Sequence, residues 1–202
     1  MAARIARASI KNSGLFLCDM QEAFRKTISY YPSIIEVSKR MLEGAKTLDM
    51  PVFVTEQYPK RLGSTVSELD VSGLSVFPKT HFSMYLPELL EKAKDHPDMK
   101  SVIICGIEGH VCVLQSVLDF LEHGYDVHVI ADGVSSRSMT DRMFALQRMR
   151  EAGAVLTTSE AMLLGLVQGS DHPQFRKIQK IIWDAPPDSG LLSQRIDEGT
   201  PV

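Results

Sequence analysis

Short apolar runs alternate along this chain with stretches whose apolar residues recur every three or four positions. Residues 14–18 (GLFLC) form the first run, bounded by Gly14 and followed at once by Asp19. A run of that length between polar residues predicts a buried strand. Similar runs at 52–55, 75–79, 101–107, 126–131 and 154–157 predict five more, the third weakened by Pro78. Between the first two, Ile34, Val37, Met41, Ala45 and Leu48 fall on one helical face, and Pro51 ends the pattern. Ser33 and Glu36 stand at the spacing of a capping box, predicting the start of that helix. A second helix is predicted over 110–123, where Leu114, Val117, Leu118 and Leu121 share a face and Gly124 supplies the stop. A third begins at Ser138, carries Met143, Leu146 and Met149, and ends at Gly153. Residues 159–167 and 172–183 read as further helices.

Strand followed by helix, repeated, predicts an α/β fold. The expected architecture is a three-layer, Rossmann-like open sheet of about six parallel strands, with helices on both faces. No repeat or linker divides the chain, so residues 1–202 are expected to form one domain, with its core at about 12–185 and a loosely ordered tail at 186–202. In such sheets ligands bind beyond the C-terminal ends of the strands. Polar residues just past the strands are therefore the candidates for chemistry.

Composition narrows the classes. The chain has 202 residues, 44% hydrophobic and 23% charged, which is ordinary for a globular protein and excludes disordered and fibrous classes. No apolar run approaches the ~18 residues of a membrane span, so no membrane partner is expected. The formal charge is −3 and no Lys/Arg run is present, so no nucleic-acid partner is expected. Three cysteines without a repeating spacing argue against a secreted disulfide framework. Arg4, Arg7 and Lys11 precede the first strand with no acid among them. They read as a short polar lead, and a cytoplasmic location is expected, with mitochondrial or nuclear association left open.

Three strand-end residues then stand out. Asp19 follows the first strand, Lys79 ends the third, and Cys112 lies five residues past the fourth, in the first turn of the next helix. Taken singly, each has an ordinary reading as a cap, a surface cation or a small core residue. Together they make a nucleophile unit. The thiolate is the reactive form of cysteine, and both a helix start and a lysine ammonium favour a negative charge. Asp19 is placed to take the thiol proton and return it to a leaving amine. The turn from Gly106 to Cys112 offers backbone amides for an oxyanion. Cys18 and Cys105 sit inside strands and are expected to be inert, with the Cys18 side chain on the opposite side of the sheet from Asp19.

These residues carry a family likeness. Phe16-Leu-Cys-Asp-Met-Gln21 with Phe24, Thr55-Glu-Gln-Tyr-Pro59, Lys79-Thr-His-Phe-Ser83 and Cys105-Gly-Ile-Glu-Gly-His-Val-Cys-Val113 occur in order, followed by Asp132 and Thr157-Thr-Ser-Glu160. Over roughly residues 12–185 the chain resembles the isochorismatase-like cysteine hydrolases, especially the eukaryotic isochorismatase domain-containing proteins. The resemblance implies a catalytic triad of Asp19, Lys79 and Cys112. It also implies a cis peptide between Ile107 and Glu108, and an oxyanion hole made by the amides of Glu108 and Cys112. It implies a covalent intermediate on cysteine with small amides or related substrates, and a six-stranded parallel sheet.

The nicotinamidase branch of that family carries metal-binding histidines after strand two. Residues 56–63 here contain no histidine, so neither a metal nor another cofactor is expected. His81 and His110 are candidates for lining a substrate pocket, with Gln57 and Tyr58 after strand two. Phe24 and Phe82, together with Tyr85, are candidates for its apolar wall. Asp132 reads as a structural cap, and the 135–137 stretch either as a hydrogen-bonding partner of the site or as a helix cap. The family commonly assembles through helix faces, so a homo-oligomer is expected, with the apolar 162–167 stretch as the contact. The leading expectation is an enzyme: a hydrolase that cleaves an amide-type C–N bond of a small molecule. The alternatives are a non-catalytic oligomeric interaction protein, a vinyl ether hydrolase of the isochorismatase type, and a ribonuclease.

Overall fold

The computed structural model describes residues 5–191. Six parallel strands form one sheet in the order β3-β2-β1-β4-β5-β6. They are β1 (Ser13–Cys18), β2 (Val52–Gln57), β3 (Ser75–Lys79), β4 (Ser101–Gly106), β5 (Asp126–Val134) and β6 (Val155–Thr157). The expected open α/β sheet is therefore present, with β1 and β4 at its centre. These two strands are buried along their whole length, as parallel strands covered on both faces must be. Their side chains alternate between two cores. Leu15, Leu17, Ile103 and Cys105 enter one cluster, and Phe16, Cys18, Val102 and Ile104 enter the other. Pro78 lies in β3, an edge strand, where its missing N–H costs no ladder bond on the open side.

Helices cover both faces. On one face lie α1 (Tyr31–Thr47), α6 (Ser159–Val167) and α7 (Phe175–Ile181), which pack on one another. On the other lie α3 (Pro87–Ala93), α4 (Leu114–Glu122) and α5 (Met139–Glu151). A short α2 (Pro59–Leu62) follows β2. Ser138 caps α5 as the sequence predicts, accepting a bond from the Asp141 amide. Gly124 ends the α4 segment with a positive φ of 83°, the left-handed conformation that glycine adopts without strain.

Several boundaries differ from the sequence pattern. Helix α1 starts at Tyr31, so Ser33 sits inside its first turn and caps nothing. Pro32, which needs no intrahelical partner for its nitrogen, makes the earlier start possible. Helix α3 gave no periodic signal because it has only seven residues. The segment predicted as one helix over 110–123 begins as a π-helical turn at Gly109–Val113 and becomes α-helical only at Leu114. Strand β5 runs on to Val134, past a register shift opposite Ile104 and Gly106. The apolar run at 162–167 is largely spent inside the chain: Met162, Leu163, Leu166 and Val167 are buried, leaving Leu164 partly exposed.

Two buried arginines hold the segment after α7. Arg40 donates to the carbonyls of Asp184 and Ala185, over 3.0 and 3.3 Å. Arg142, 1% exposed, donates to the carbonyls of Ser189 and Ala131. Of the tail expected to be loose, 186–191 is described and contains the buried Ser189. Residues 192–202, like Arg4 of the polar lead, lie outside the described residues. Among the described residues no helix is long and apolar enough to cross a membrane.

Candidate active site

Strand register brings the chemistry together. Cys18 stands level with Thr55 on one side and Gly106 on the other, and Gln57 stands level with Lys79. Asp19, Thr55, Gln57, Lys79 and the turn after Gly106 therefore emerge at one end of the sheet. Asp19, Lys79 and Cys112 are 1%, 4% and 6% exposed.

The centre is a buried ion pair. Lys79 Nζ lies 2.7 Å from Asp19 Oδ2. The ammonium also donates to Gln57 Oε1 at 2.6 Å and to the carbonyls of Phe82 and His81 at 2.8 and 3.2 Å. Thr55 Oγ1 donates to the other Asp19 oxygen, Oδ1, at 2.7 Å. Each carboxylate oxygen thus has a donor, the condition under which a buried charge is tolerated. Burial alone would push the Lys79 pKa down. The neighbouring Cys18, Asp19 and Cys112 more than offset it, and the net effect holds lysine above its ordinary value. The cation is thereby kept charged beside the sulfurs.

The backbone around these groups is unusual. Asp19 has φ 49°, a left-handed conformation that aspartate visits more readily than most residues. The Ile107–Glu108 peptide is cis. Cys112 lies in the π-helical turn, a form often found at functional sites. Its carbonyl accepts a 2.6 Å bond from Ser116, whose hydroxyl in turn accepts from the Met84 amide. The turn is tied to the end of β5 by a bond from the Gly109 amide to the Ser135 carbonyl, 2.8 Å.

One expectation is overturned. Cys18 does not turn away from the candidate site: it belongs to the same buried core cluster as Cys112. Strand alternation holds only while the backbone stays extended. At Asp19 the chain leaves that conformation, so consecutive side chains need not point to opposite faces. Burial, with the neighbouring Cys112 adding to it, raises the Cys18 thiol well above its ordinary pKa. Cys105 lies in the opposite cluster, and burial pushes its pKa up to about 12.

The outlying candidates divide. Gln57 touches Lys79 directly. His81 and Phe82 contribute their carbonyls, and Phe82 is 55% exposed. The Tyr58 amide donates to the Lys79 carbonyl at 2.8 Å, and the residue is 44% exposed. His110 Nδ1 lies 3.0 Å from Ser136 Oγ. The Glu108 carboxylate pairs with Arg137 at 3.3 Å. Phe24 packs against the opposite core cluster from that of Cys112. Asp132 accepts from the amide and hydroxyl of Ser159, at 2.9 and 2.7 Å, so it caps α6. The sequence reading missed Thr55 as a partner of Asp19. It also missed Gln21, whose side-chain amide pairs with both backbone groups of Gln57. Among the described residues no three His, Cys, Asp or Glu are grouped to hold a metal.

Fold and site together define an open-sheet α/β protein with a cysteine, a carboxylate and an ammonium gathered where strands end. The isochorismatase domain profile matches residues 13–161, and the chain belongs to that hydrolase family. Isochorismatase domain-containing protein 2 of Xenopus laevis is 54% identical over 190 residues, covering 94% of this chain and 93% of that one. A solved structure named MAR1 ribonuclease, from Caenorhabditis elegans, superposes with a TM-score of 0.89 at 49% identity, covering 98% of each chain. The YcaC gene product of Escherichia coli, described as an octameric hydrolase of unknown specificity, shares the fold with a TM-score of 0.83 at 21% identity, covering 98% of this chain and 100% of that one.

Proposed function

We propose that the chain is a cysteine hydrolase that cleaves an amide-type C–N bond of a small molecule through a thioester on Cys112. The observation carrying this reading is the buried Asp19–Lys79 pair, set at the same end of the sheet as the turn that carries Cys112. Asp19 takes the thiol proton, and Lys79 balances the charge of the resulting thiolate. Sulfur attacks the substrate carbonyl carbon. The amides of Glu108 and Cys112 hold the oxyanion, a type of contact worth about 2.7–4 kcal/mol of barrier per donor. Collapse expels the amine, which leaves with the proton from Asp19. Water, deprotonated by Asp19, then attacks the thioester and restores the thiol. In this reading Gln57, Tyr58, His81, Phe82 and His110 line the entrance, and each proton transfer runs through Asp19.

The test is intact mass after incubation with a panel of small amides and ureides. The expected result is an adduct on Cys112 and turnover that falls to background in Cys112→Ala. Undiminished turnover in that variant removes the mechanism.

A second reading is favoured by one comparison, the C. elegans relative named as a ribonuclease. The net charge of −3 gives this chain no overall pull on a polyanion. Cleavage of single-stranded RNA by wild type but not by Cys112→Ala would establish it over small-amide hydrolysis. We also propose self-assembly. Met143 and Phe144 on α5 are 53% and 59% exposed, and a contact between copies would take these two large apolar side chains out of water. Sedimentation is expected to show an oligomer that Phe144→Glu dissociates; a monomeric wild type would end this proposal.

A further inference from the structure

We propose that Gln21 is a positioning residue for Lys79: its buried side chain completes the end of β2 and, through Gln57, fixes the ammonium. The strands create the need. Ladder pairing between β1 and β2 ends at Cys18 and Thr55, while β2 runs on to Gln57. Asp19 turns the main chain aside with φ 49°, so β1 no longer meets the backbone of Gln57. The Gln21 side chain takes its place. Gln21 Oε1 accepts from the Gln57 amide at 2.7 Å. Gln21 Nε2 donates to the carbonyls of Gln57 and Gly63, at 3.0 and 2.7 Å. A carboxamide offers both a donor and an acceptor, as a peptide unit does, and here it extends the ladder that the main chain has left.

This amide has one orientation, because a flip would set its NH2 against the Gln57 N–H. Gln21 is 0% exposed, and its main chain is held as well. Its amide donates to the Asp19 carbonyl and its carbonyl accepts from the Tyr31 hydroxyl, both at 2.8 Å.

The other end of the relay is Lys79, which stands level with Gln57 in the β2–β3 ladder. Gln57 Nε2 donates to the Thr80 carbonyl at 2.8 Å, and this points Oε1 at the ammonium, 2.6 Å away. An ammonium has three N–H groups. Lys79 meets four acceptors within 3.2 Å, on Asp19, Gln57, Phe82 and His81. No proton is left over for a substrate, so Lys79 serves as a fixed charge whose direction Gln57 helps to set. The catalytic meaning of this relay rests on the cysteine-hydrolase reading; the positioning itself does not.

The experiment reads the ammonium directly, by NMR of the isotope-labelled full chain. The Lys79 Nζ–H signal, identified by its loss in Lys79→Arg, is expected to persist at neutral pH because its protons are held. Gln57→Met removes one acceptor and should speed exchange of those protons about tenfold, the scale of one lost hydrogen bond to a charge. Gln21→Met should do the same, although the Gln21 side chain has no bond to Lys79. The double variant should be no faster than Gln57→Met alone, because residues acting through one path are not additive. Arg40→Met, which removes buried hydrogen bonds at the 184–185 carbonyls, should leave the signal unchanged. An unprotected ammonium in wild type, an unchanged signal in folded Gln21→Met, or additive effects in the double variant would overturn the proposal. Should Gln21→Met fail to fold, Gln21→Glu carries the same test: it keeps the acceptor for the Gln57 amide and removes the donor to the Gln57 carbonyl. On an amide that wild type turns over, the Gln21 and Gln57 variants should lower kcat with KM little changed, the pattern of a lost transition-state contact. Absence of turnover in wild type would count against the hydrolase reading and leave the ammonium result standing.

Discussion

The Asp19 carboxylate is held between a hydroxyl and an ammonium, Thr55 on Oδ1 and Lys79 on Oδ2. The Thr55 and Lys79 bonds together fix the orientation of the carboxylate. Thr55→Val keeps the shape and removes the donor, leaving one buried oxygen unpaired. The expected cost is about 1–3 kcal/mol of stability, read from denaturant midpoints. A fall in kcat with little change in KM should accompany it, because Asp19 is then misaligned rather than absent. Unchanged kcat would show that Lys79 alone orients the carboxylate. Most of this cluster was legible residue by residue, since Asp19, Lys79, Cys112 and Gln57 all stand just at or past strand ends. Thr55 was not, because a threonine ending a strand reads as an ordinary β-former until strand register places it beside Asp19. Cys18 was misread for the converse reason: alternation was carried one residue too far, onto a backbone that had left the strand.

At the scale of elements, the turn between β4 and α4 depends on Gly106. Its φ is 118°, and a Cβ there would run into the backbone of Cys18. Gly106→Ala is expected to separate β1 from β4 at their C-terminal ends. It should lower the melting temperature and abolish labelling of Cys112 by substrate, even though no reacting atom is removed. Full activity in a well-folded Gly106→Ala protein would contradict this account of the turn. The six strands announced themselves through short apolar runs, because central parallel strands bury both faces and leave no polar residue to interrupt them. The π-helical turn did not, since five residues are too few to separate one helical period from another. Nor did the start of α1, where a capping-box pattern competed with Pro32 and lost.

The molecule as a whole has two cores divided by the sheet, and it carries a buried imidazole with no role at the site. His128 lies in β5, 3% exposed, with Nε2 lacking a partner. Burial, only partly opposed by Asp126, holds its pKa below the ordinary 6.5. The unfolded chain therefore takes up the proton first, and this group withdraws stability as pH falls below about 6.5. Replacing it with leucine should flatten the loss of stability between pH 7 and 5, measured by urea unfolding at each pH. Parallel losses in both proteins would place the acid sensitivity elsewhere. Across the same molecule, Arg40 and Arg142 fasten the 184–191 segment through main-chain carbonyls alone. A carbonyl is present whatever the side chain. The grip is thus blind to the letters at the exposed positions 184 and 185 but depends wholly on the two guanidinium groups, so tolerance to substitution should be one-sided: permissive at those two positions, strict at the two anchors.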